Sequence, residues 1–255
     1  MRSGVGKWPV VVLALAAYGC AAREPYNPFR IEKDVFRQQV HTIALMPTVV
    51  PNDAENVDQI RAKFESLITA RLGQAGFATI PSGQTAEVFE RVRSEVGGTY
   101  DPVTGELDAE KEDATRKKAL AQIAERFGAD AVLHSRIVVV KAGFRNGAAT
   151  WLGTTQRIEH GGSLAVRILG GVTVSGTVGA TGLAVTIEDT TGTDLYLDSG
   201  GIEVLSKYSF GSFQQRPVSE LFLDEVRNAK AVELALGDLS PPSPERMARN
   251  EQSGP

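Results

Sequence analysis

The sequence predicts an α+β domain in which a mixed β-sheet is packed by about four helices. In the first half of the chain, short apolar runs rich in β-branched residues alternate with segments of helical periodicity, in the order β-α-β-α-α-β. After Lys141, short strand-like runs separated by glycine predict a β meander. A last amphipathic segment predicts a C-terminal helix that closes the domain.

The domain is predicted to begin with a buried strand over residues 41–47, which Pro47 ends. Asn52 and Asp53 are candidate N-caps for the helix that follows, and Gly76 is its C-cap. Apolar residues recur at helical spacing between these caps, at Val57, Ile60, Phe64, Leu67, Ile68 and Leu72.

The second half of the predicted β-α-β-α-α-β unit is also marked by caps. A short strand over residues 77–80 precedes a helix that Ser82 caps and Gly97-Gly98 ends. A loop follows, and Asp108 then caps a long polar helix that Gly128 closes. Residues 131–140 are strongly β-branched and predict a long central strand.

Five successive strands are predicted in the meander, over residues 150–158, 163–169, 172–178, 183–188 and 194–197. Gly170-Gly171 and Thr191-Gly192 supply tight turns between them. A last helix is predicted over residues 218–236, and the proline-rich, polar residues 240–255 predict a disordered tail.

The strands and helices are expected to share one core, because a strand flanked by amphipathic helices hides its apolar side chains against them. The residues expected to be buried together are Ile43, Leu45, Phe64, Leu67, Val132 and Val138.

The N-terminus carries an export signal that ends at Cys20, the only cysteine in the sequence. Arg2 and Lys7 precede an apolar run over residues 10–17, and small residues precede the cysteine. The run is far shorter than the roughly 20 apolar residues that a membrane span needs. A lone cysteine also excludes an intrachain disulfide.

The run Ala17-Tyr18-Gly19-Cys20 resembles the lipobox of bacterial lipoproteins, although that family usually has Leu at the position of Ala17. The resemblance implies cleavage before Cys20 and a diacylated cysteine that anchors the protein in a lipid bilayer, since two acyl chains hold stably. Residues 1–19 are therefore interpreted as the signal peptide, residues 20–40 as anchor and tether, and residues 41–239 as the domain. The domain is expected to fold without lipid from about Val40.

Apolar residues within the predicted tether leave open whether all of it is a free linker. They are compatible with docking of part of the tether onto the domain or onto a partner. These apolar residues are Phe29, Ile31, Val35 and Phe36.

The net charge of -4 and the lack of a basic stripe interleaved with aromatic residues argue against nucleic-acid binding.

The domain itself resembles a group of periplasmic lipoprotein domains. The resemblance rests on residues 42–47, the helix that ends at Gly76, residues 77–80, residues 127–133 and residues 184–192. The group comprises curli secretion-channel subunits, penicillin-binding-protein activator lipoproteins and the amino-terminal domain of the Tol-Pal β-propeller protein.

The resemblance implies a non-enzymatic binding or assembly module of the cell envelope, whose partner is another envelope protein or peptidoglycan. Ala21 follows the cysteine in place of an inner-membrane retention aspartate, which implies an outer-membrane anchor with the domain facing the periplasm. The main alternative is a homo-oligomeric secretion-channel or pore subunit, and a weaker one is an envelope hydrolase.

Candidate catalytic and metal-binding residues are scattered. His41, His134 and His160 lack ligand spacing and are interpreted as structural or surface residues. The glycines at 170, 171, 176, 179 and 182 are interpreted as turn and strand residues, because no helix follows them to form a phosphate loop. The carboxylates between Asp101 and Asp113 lack calcium-loop spacing. No catalytic residue, cofactor or metal is therefore expected.

A hairpin centred on Gly170-Gly171 is predicted to pair residues 172–175 with residues 165–168. Its arms of about seven residues are shorter than the roughly 9–11 of a membrane strand, which favours a soluble sheet over a membrane-inserted hairpin.

Overall fold

The computed structural model describes residues 26–52, 54–101, 104–158, 175–209 and 212–240. Within these ranges the protein has the predicted α+β fold, with helices on both faces of a mixed sheet. Several predictions fall outside the described residues: the export signal with Cys20, the hairpin around Gly170-Gly171 and the disordered tail after Ser240, and His160 also lies there.

Five α-helices are found in the described part of the chain. They are α1 (Lys33–Gln39), α2 (Val57–Gln74), α3 (Ser82–Glu95), α4 (Ala109–Phe127) and α5 (Glu225–Leu236). The predicted caps of α4 are confirmed: the Asp108 carboxylate accepts a hydrogen bond from the Lys111 N–H, and Gly128 ends the helix with a φ of 64°.

Nine β-strands belong to two sheets in the described ranges. They are β1 (Thr42–Leu45), β2 (Ala78–Ile80), β3 (Ala131–Arg145), β4 (Ala148–Trp151), β5 (Thr154–Arg157), β6 (Ser175–Asp189), β7 (Asp194–Val204), β8 (Ser206–Ser209) and β9 (Ser212–Gln215). The last two pair only with each other.

The long strand β3 organises the main sheet. Along one side it pairs with β6 over its full length, from Ala131 opposite Asp189 to Arg145 opposite Ser175. Along the other side, β1 lies parallel to its first residues and β4 lies antiparallel to its last residues. Strand β2 pairs with β1, and β7 pairs with β6.

The predicted core is confirmed in part. Ile43, Leu45 and Phe64 are buried together between the sheet and α2 and α5, and Leu67 packs against this cluster while half-buried. Val132 is fully buried, but it lies in a separate cluster beneath α3 and α4, on the opposite face of the sheet. Side chains alternate between faces along a strand, so odd-numbered and even-numbered residues of β3 belong to different cores.

Val138 was expected in the core and is half-buried at the surface. It lies on the same face of β3 as Val132, but beyond the part of that face on which the cluster beneath α3 and α4 packs. The candidate site described below lies on this uncovered stretch of the sheet.

The predicted single strand over residues 150–158 is wrong. Strands β4 and β5 form a hairpin with a two-residue turn at Leu152-Gly153, where both residues have positive φ. Asn146-Gly147 makes a second such turn between β3 and β4. Positive φ at both central positions is the geometry that matches the twist of a tight hairpin.

The β4–β5 hairpin folds over β6 and β7, and this curvature creates a further apolar cluster that includes Phe144 and Trp151. The Trp151 indole N–H donates to the Thr181 carbonyl at 2.8 Å. Gly182 lies beneath the hairpin, where a Cβ atom would be 2.4 Å from a methyl group of Leu152. A larger residue at this position would therefore have to displace the Leu152 side chain.

The last helix begins later than predicted. Residues 218–220 form a 3-10 turn, Phe222 has a φ of 61°, and Asp224 caps α5 by accepting the N–H groups of Val226 and Arg227. The break is fixed by the buried carboxylate of Glu203, which accepts the Phe222 N–H. A tertiary contact therefore overrides the local helical pattern of residues 218–224.

Residues 29–40, which the sequence assigned to the tether, pack onto the domain. Phe36 of α1 is fully buried, with its ring centroid 5.5 Å from that of Phe29 and 6.0 Å from that of Phe77. The Phe29 ring also lies edge-on to Tyr196 of β7. Part of the predicted tether therefore docks onto the domain, which is one of the two possibilities that its apolar residues left open.

Candidate functional site

An open groove lies on the face of the sheet that α3 and α4 cover only in part. It has a volume of about 320 Å³. The groove is lined by the segment after β1 and by β3 and β6, through Met46, Pro47, Val49, His134, Ser135, Arg136, Val138, Ala184 and Thr186. We call this feature the sheet groove.

Strand alternation explains why polar side chains line the groove. His134 and Arg136 share a face of β3 with Val132, and the residues opposite them on β6 are Thr186 and Ala184. Val132 is covered by the helices, whereas Arg136 is exposed and His134 is partly exposed. The groove thus begins where the apolar packing beneath α3 and α4 ends.

A buried carboxylate lies at the helix-covered end of the groove. The Glu188 side chain is 0% exposed, its Oε1 is 2.6 Å from Nε2 of His134, and its other oxygen accepts a hydrogen bond from Arg116 of α4. The side chains of His134 and Arg116 are 39% and 43% exposed. The carboxylate is therefore closed off from water, while both of its partners reach the surface.

The electrostatics of this trio favour an ionised Glu188. Burial alone would raise the pKa of its carboxyl group, but the hydrogen bonds from His134 and Arg116, together with their charges, outweigh burial and lower that pKa. An ionised carboxylate is an acceptor only, so the Nε2 atom of His134 carries the proton and donates. In the neutral imidazole, Nδ1 is then left as a hydrogen-bond acceptor.

The arrangement has two chemical capabilities. A histidine oriented by a buried carboxylate can serve as the general base of a nucleophilic triad. It can also serve as a rigid polar group that recognises a ligand. The hydrogen bonds found for the His134 ring within the described ranges all go to Glu188. No hydroxyl group in that part of the chain is therefore placed as a nucleophile against this ring.

A second buried carboxylate, that of Glu203 on β7, has a structural role. It pairs with Arg216 and accepts the Phe222 N–H, and Arg216 also donates to the Glu220 carbonyl at 2.8 Å. These contacts fasten the segment after β9 onto the sheet. The pair therefore shapes the chain before α5, as the positive φ of Phe222 illustrates.

The other residues singled out from the sequence lie apart from this site. His41 is exposed at the start of β1, beside Asp130, whose carboxylate accepts the N–H groups of His41 and Thr42. Gly176, Gly179 and Gly182 are strand residues of β6, which runs unbroken over Ser175–Asp189, so the predicted break between residues 178 and 183 is wrong. Of the six candidate carboxylates, Asp108 caps α4 and Asp113 pairs with Lys117.

Arg116 and Glu188 were missed by the sequence reasoning. They are 72 positions apart, and only the packing of α4 onto the start of β3 and the end of β6 brings them together. The alternation of Val185 and Ile187 with Thr186 and Glu188 was a usable signal, because it sets Glu188 on the same face as His134 once the β3–β6 register is known.

No helix in the part of the chain that the structure describes is long and apolar enough to cross a bilayer. No cluster of three or more histidine, cysteine, aspartate or glutamate side chains is arranged to hold a metal ion in that same part.

No protein-family model matches the sequence, and no curated protein matches it significantly.

Proposed function

We propose that this protein is a lipoprotein of the bacterial cell envelope, anchored through acylated Cys20 at the outer membrane, with its domain in the periplasm. We propose that it acts there as a non-enzymatic binding or assembly module. The observation that carries the proposal is the sheet groove, an open surface with a fixed polar end and an exposed cation. The partner is another envelope protein or peptidoglycan.

The groove has features that suit recognition. His134 is held in one orientation by the buried Glu188, so little side-chain freedom is lost when a partner binds. Arg136 is exposed and has no ion pair among the residues that the structure describes. Its guanidinium fork is suited to a carboxylate of a partner. Met46, Val49 and Val138 supply apolar contact area beside these polar groups.

The short connection to the anchor supports the membrane part of the proposal. Phe29, which is buried against Tyr196, is nine positions after Cys20 in the sequence, and a chain of nine residues spans about 30 Å at most. An acylated Cys20 would therefore hold the domain close to a bilayer surface. Stable anchoring would follow from two acyl chains, since one chain binds only marginally.

In-cell photo-cross-linking tests the binding role. A photoreactive amino acid replaces Val49, which lines the groove and is 51% exposed, and in a control it replaces Lys117 on the outer side of α4. A discrete adduct at Val49, absent at Lys117 and identified as one envelope component, is the expected result. Absence of an adduct at Val49 contradicts the proposal. A ladder of adducts of the chain with itself would favour the channel-subunit alternative.

A hydrolase is the second candidate function, because the Glu188–His134 pair has the geometry of an orienting carboxylate and a base. Hydrolysis of p-nitrophenyl acetate by the purified chain tests it. A rate above that of buffer that disappears in His134→Ala would support this candidate. A rate equal to that of buffer, or one unchanged in His134→Ala, would exclude the pair as a base for ester hydrolysis.

A further inference from the structure

One stretch of β3 has a free backbone edge. Because β6 pairs with the whole of β3 on one side, β1 and β4 must share the other side. The segment after β1 pairs as far as Ile137, whose N–H donates to the Val49 carbonyl, and β4 pairs from Gly143 onward. The residues between them, 138–142, have no strand on this side in the described part of the chain.

The direction of the backbone groups in this gap follows from their neighbours. Leu133, Ser135 and Ile137 all make their hydrogen bonds toward the β1 side, and the β3–β6 register continues without a bulge. Alternation therefore directs the N–H and C=O groups of Val139 and Lys141 to the same open side. No hydrogen bond to these groups from outside the β3–β6 ladder is found in the described ranges.

The side chains at and beside the gap are solvent-exposed. Val139 is 62% exposed, and Val49 at the end of the gap is 51% exposed. Arg136 and Lys141 are exposed cations without an ion pair in the ranges that the structure covers. Among the described lining residues of the adjoining sheet groove there is no carboxylate. By strand alternation Arg136 and Lys141 lie on opposite faces of β3, so this edge carries one exposed cation on each face, on a protein whose net charge is -4.

We propose that the edge of β3 at Val139 and Lys141 binds an extended segment of a partner protein by β-strand addition, with an acidic side chain of that segment placed against Arg136 or Lys141. The inference rests on the proposed binding function and names the chemistry of the partner. Main-chain hydrogen bonds supply affinity in this mode, and side-chain pockets supply specificity. The gap spans about 20 Å between its paired ends, Ile137 and Gly143, enough for about five residues of the added segment.

The geometry offers a selective variant. Val139→Pro removes the N–H group at the open edge and leaves the β6 ladder intact, because proline is tolerated where the N–H faces away from the sheet. Val139→Thr is the matched control, since it keeps both the N–H group and a β-branched side chain. Thermal unfolding of both variants checks that the fold is retained.

The test combines these variants with the photo-cross-linker at Val49 in the full chain, in cells. Val139→Thr is expected to form the adduct at the level of the parent chain, and Val139→Pro at a level at least about tenfold lower. An undiminished adduct in Val139→Pro overturns strand addition while the binding function stands. Absence of the adduct in every chain, the parent included, is instead the failure of the binding function itself.

Hydrogen exchange on the purified full chain gives an independent readout if Val139→Pro does not fold. The probe is a synthetic peptide of alternating valine and glutamate, with an alternating valine and lysine peptide as control. Slower exchange of the Val139 and Lys141 amides with the glutamate peptide alone is the expected result. Equal protection by both peptides, or by neither, contradicts the proposal. Protection of these amides before any peptide is added also contradicts it, because the edge is then already covered by this chain or a second copy.

Discussion

Nε2 of His134 lies 2.6 Å from Oε1 of Glu188, so a residue of the open groove is held directly by a carboxylate that water does not reach. Arg116 approaches the same carboxylate from α4. This contact joins the helical layer to the sheet, and it also fixes one end of the groove. The stability of the fold and the geometry of the sheet groove therefore depend on the same buried charge.

Removing the Arg116 cation should lower the free energy of unfolding more than removing the negative charge of Glu188. Arg116→Ala leaves Glu188 buried with His134 alone, and we expect it to lower the free energy of unfolding by about 3 kcal/mol. Glu188→Gln removes the buried charge and keeps the shape, so its cost should be about 1 kcal/mol. Urea titrations at neutral pH measure both. The reverse order would show that Glu188 is not a buried anion.

The lowered pKa of Glu188 predicts a specific acid sensitivity. Because its folded-state pKa lies below the ordinary value of about 4.3, the contact stabilises the fold above that pH and is lost as the pH falls through the folded-state pKa. The free energy of unfolding should therefore drop more between about pH 5 and pH 3 in the parent chain than in Glu188→Gln. Parallel pH profiles for the two chains would argue against this assignment.

The close contact between α5 and β7 predicts a large effect at a glycine. A Cβ atom at Gly200 would lie 2.0 Å from the Ala231 carbonyl oxygen, so Gly200→Ala must displace the helix. We expect a loss of about 1–3 kcal/mol, as for other overpacked sites. Gly83→Ala in α3 is the control, since a Cβ atom there has nothing within 4 Å and should stabilise the helix by up to about 1 kcal/mol. Thermal denaturation compares the two, and equal effects would contradict the close packing.

The docked N-terminal segment changes where a stable domain should begin. A chain that starts at Val40 lacks Phe29 and Phe36, both of which are buried against Tyr196. Emptying one aromatic core site costs about 3–5 kcal/mol, so this chain should be much less stable than one that starts at Tyr26. Denaturant titrations of the two chains give the difference. Equal stability would mean that residues 26–39 contribute no net packing energy.

Local signals predicted much of the fold because they act within a few residues. The caps of α4 and the helical period of α2 depend on neighbouring side chains, and both are found in the structure. Asn146-Gly147 is also a local signal, so the turn between β3 and β4 could have been predicted from the sequence. The late start of the last helix could not be predicted in this way, since Phe222 is held at positive φ by the distant carboxylate of Glu203.

The candidate site depended on information that no local pattern contains. His134 could be placed in a strand, but its face could not be assigned before the β3–β6 register was known. The partnership of Arg116 with Glu188 arises from the packing of a helix on a sheet. The free edge at Val139 follows from topology, because it requires that β1 and β4 share one side of β3.

Lipid labelling of Cys20 tests the proposed membrane anchoring most directly. Cells that express the full chain or its Cys20→Ser variant are grown with a palmitate analogue, and the immunoprecipitated protein is examined for label. We expect label on the parent chain, its loss in Cys20→Ser, and release of the variant from the membrane fraction, since two acyl chains are what holds such a protein at a bilayer. Equal labelling of the two chains, or no labelling of either, would contradict the account.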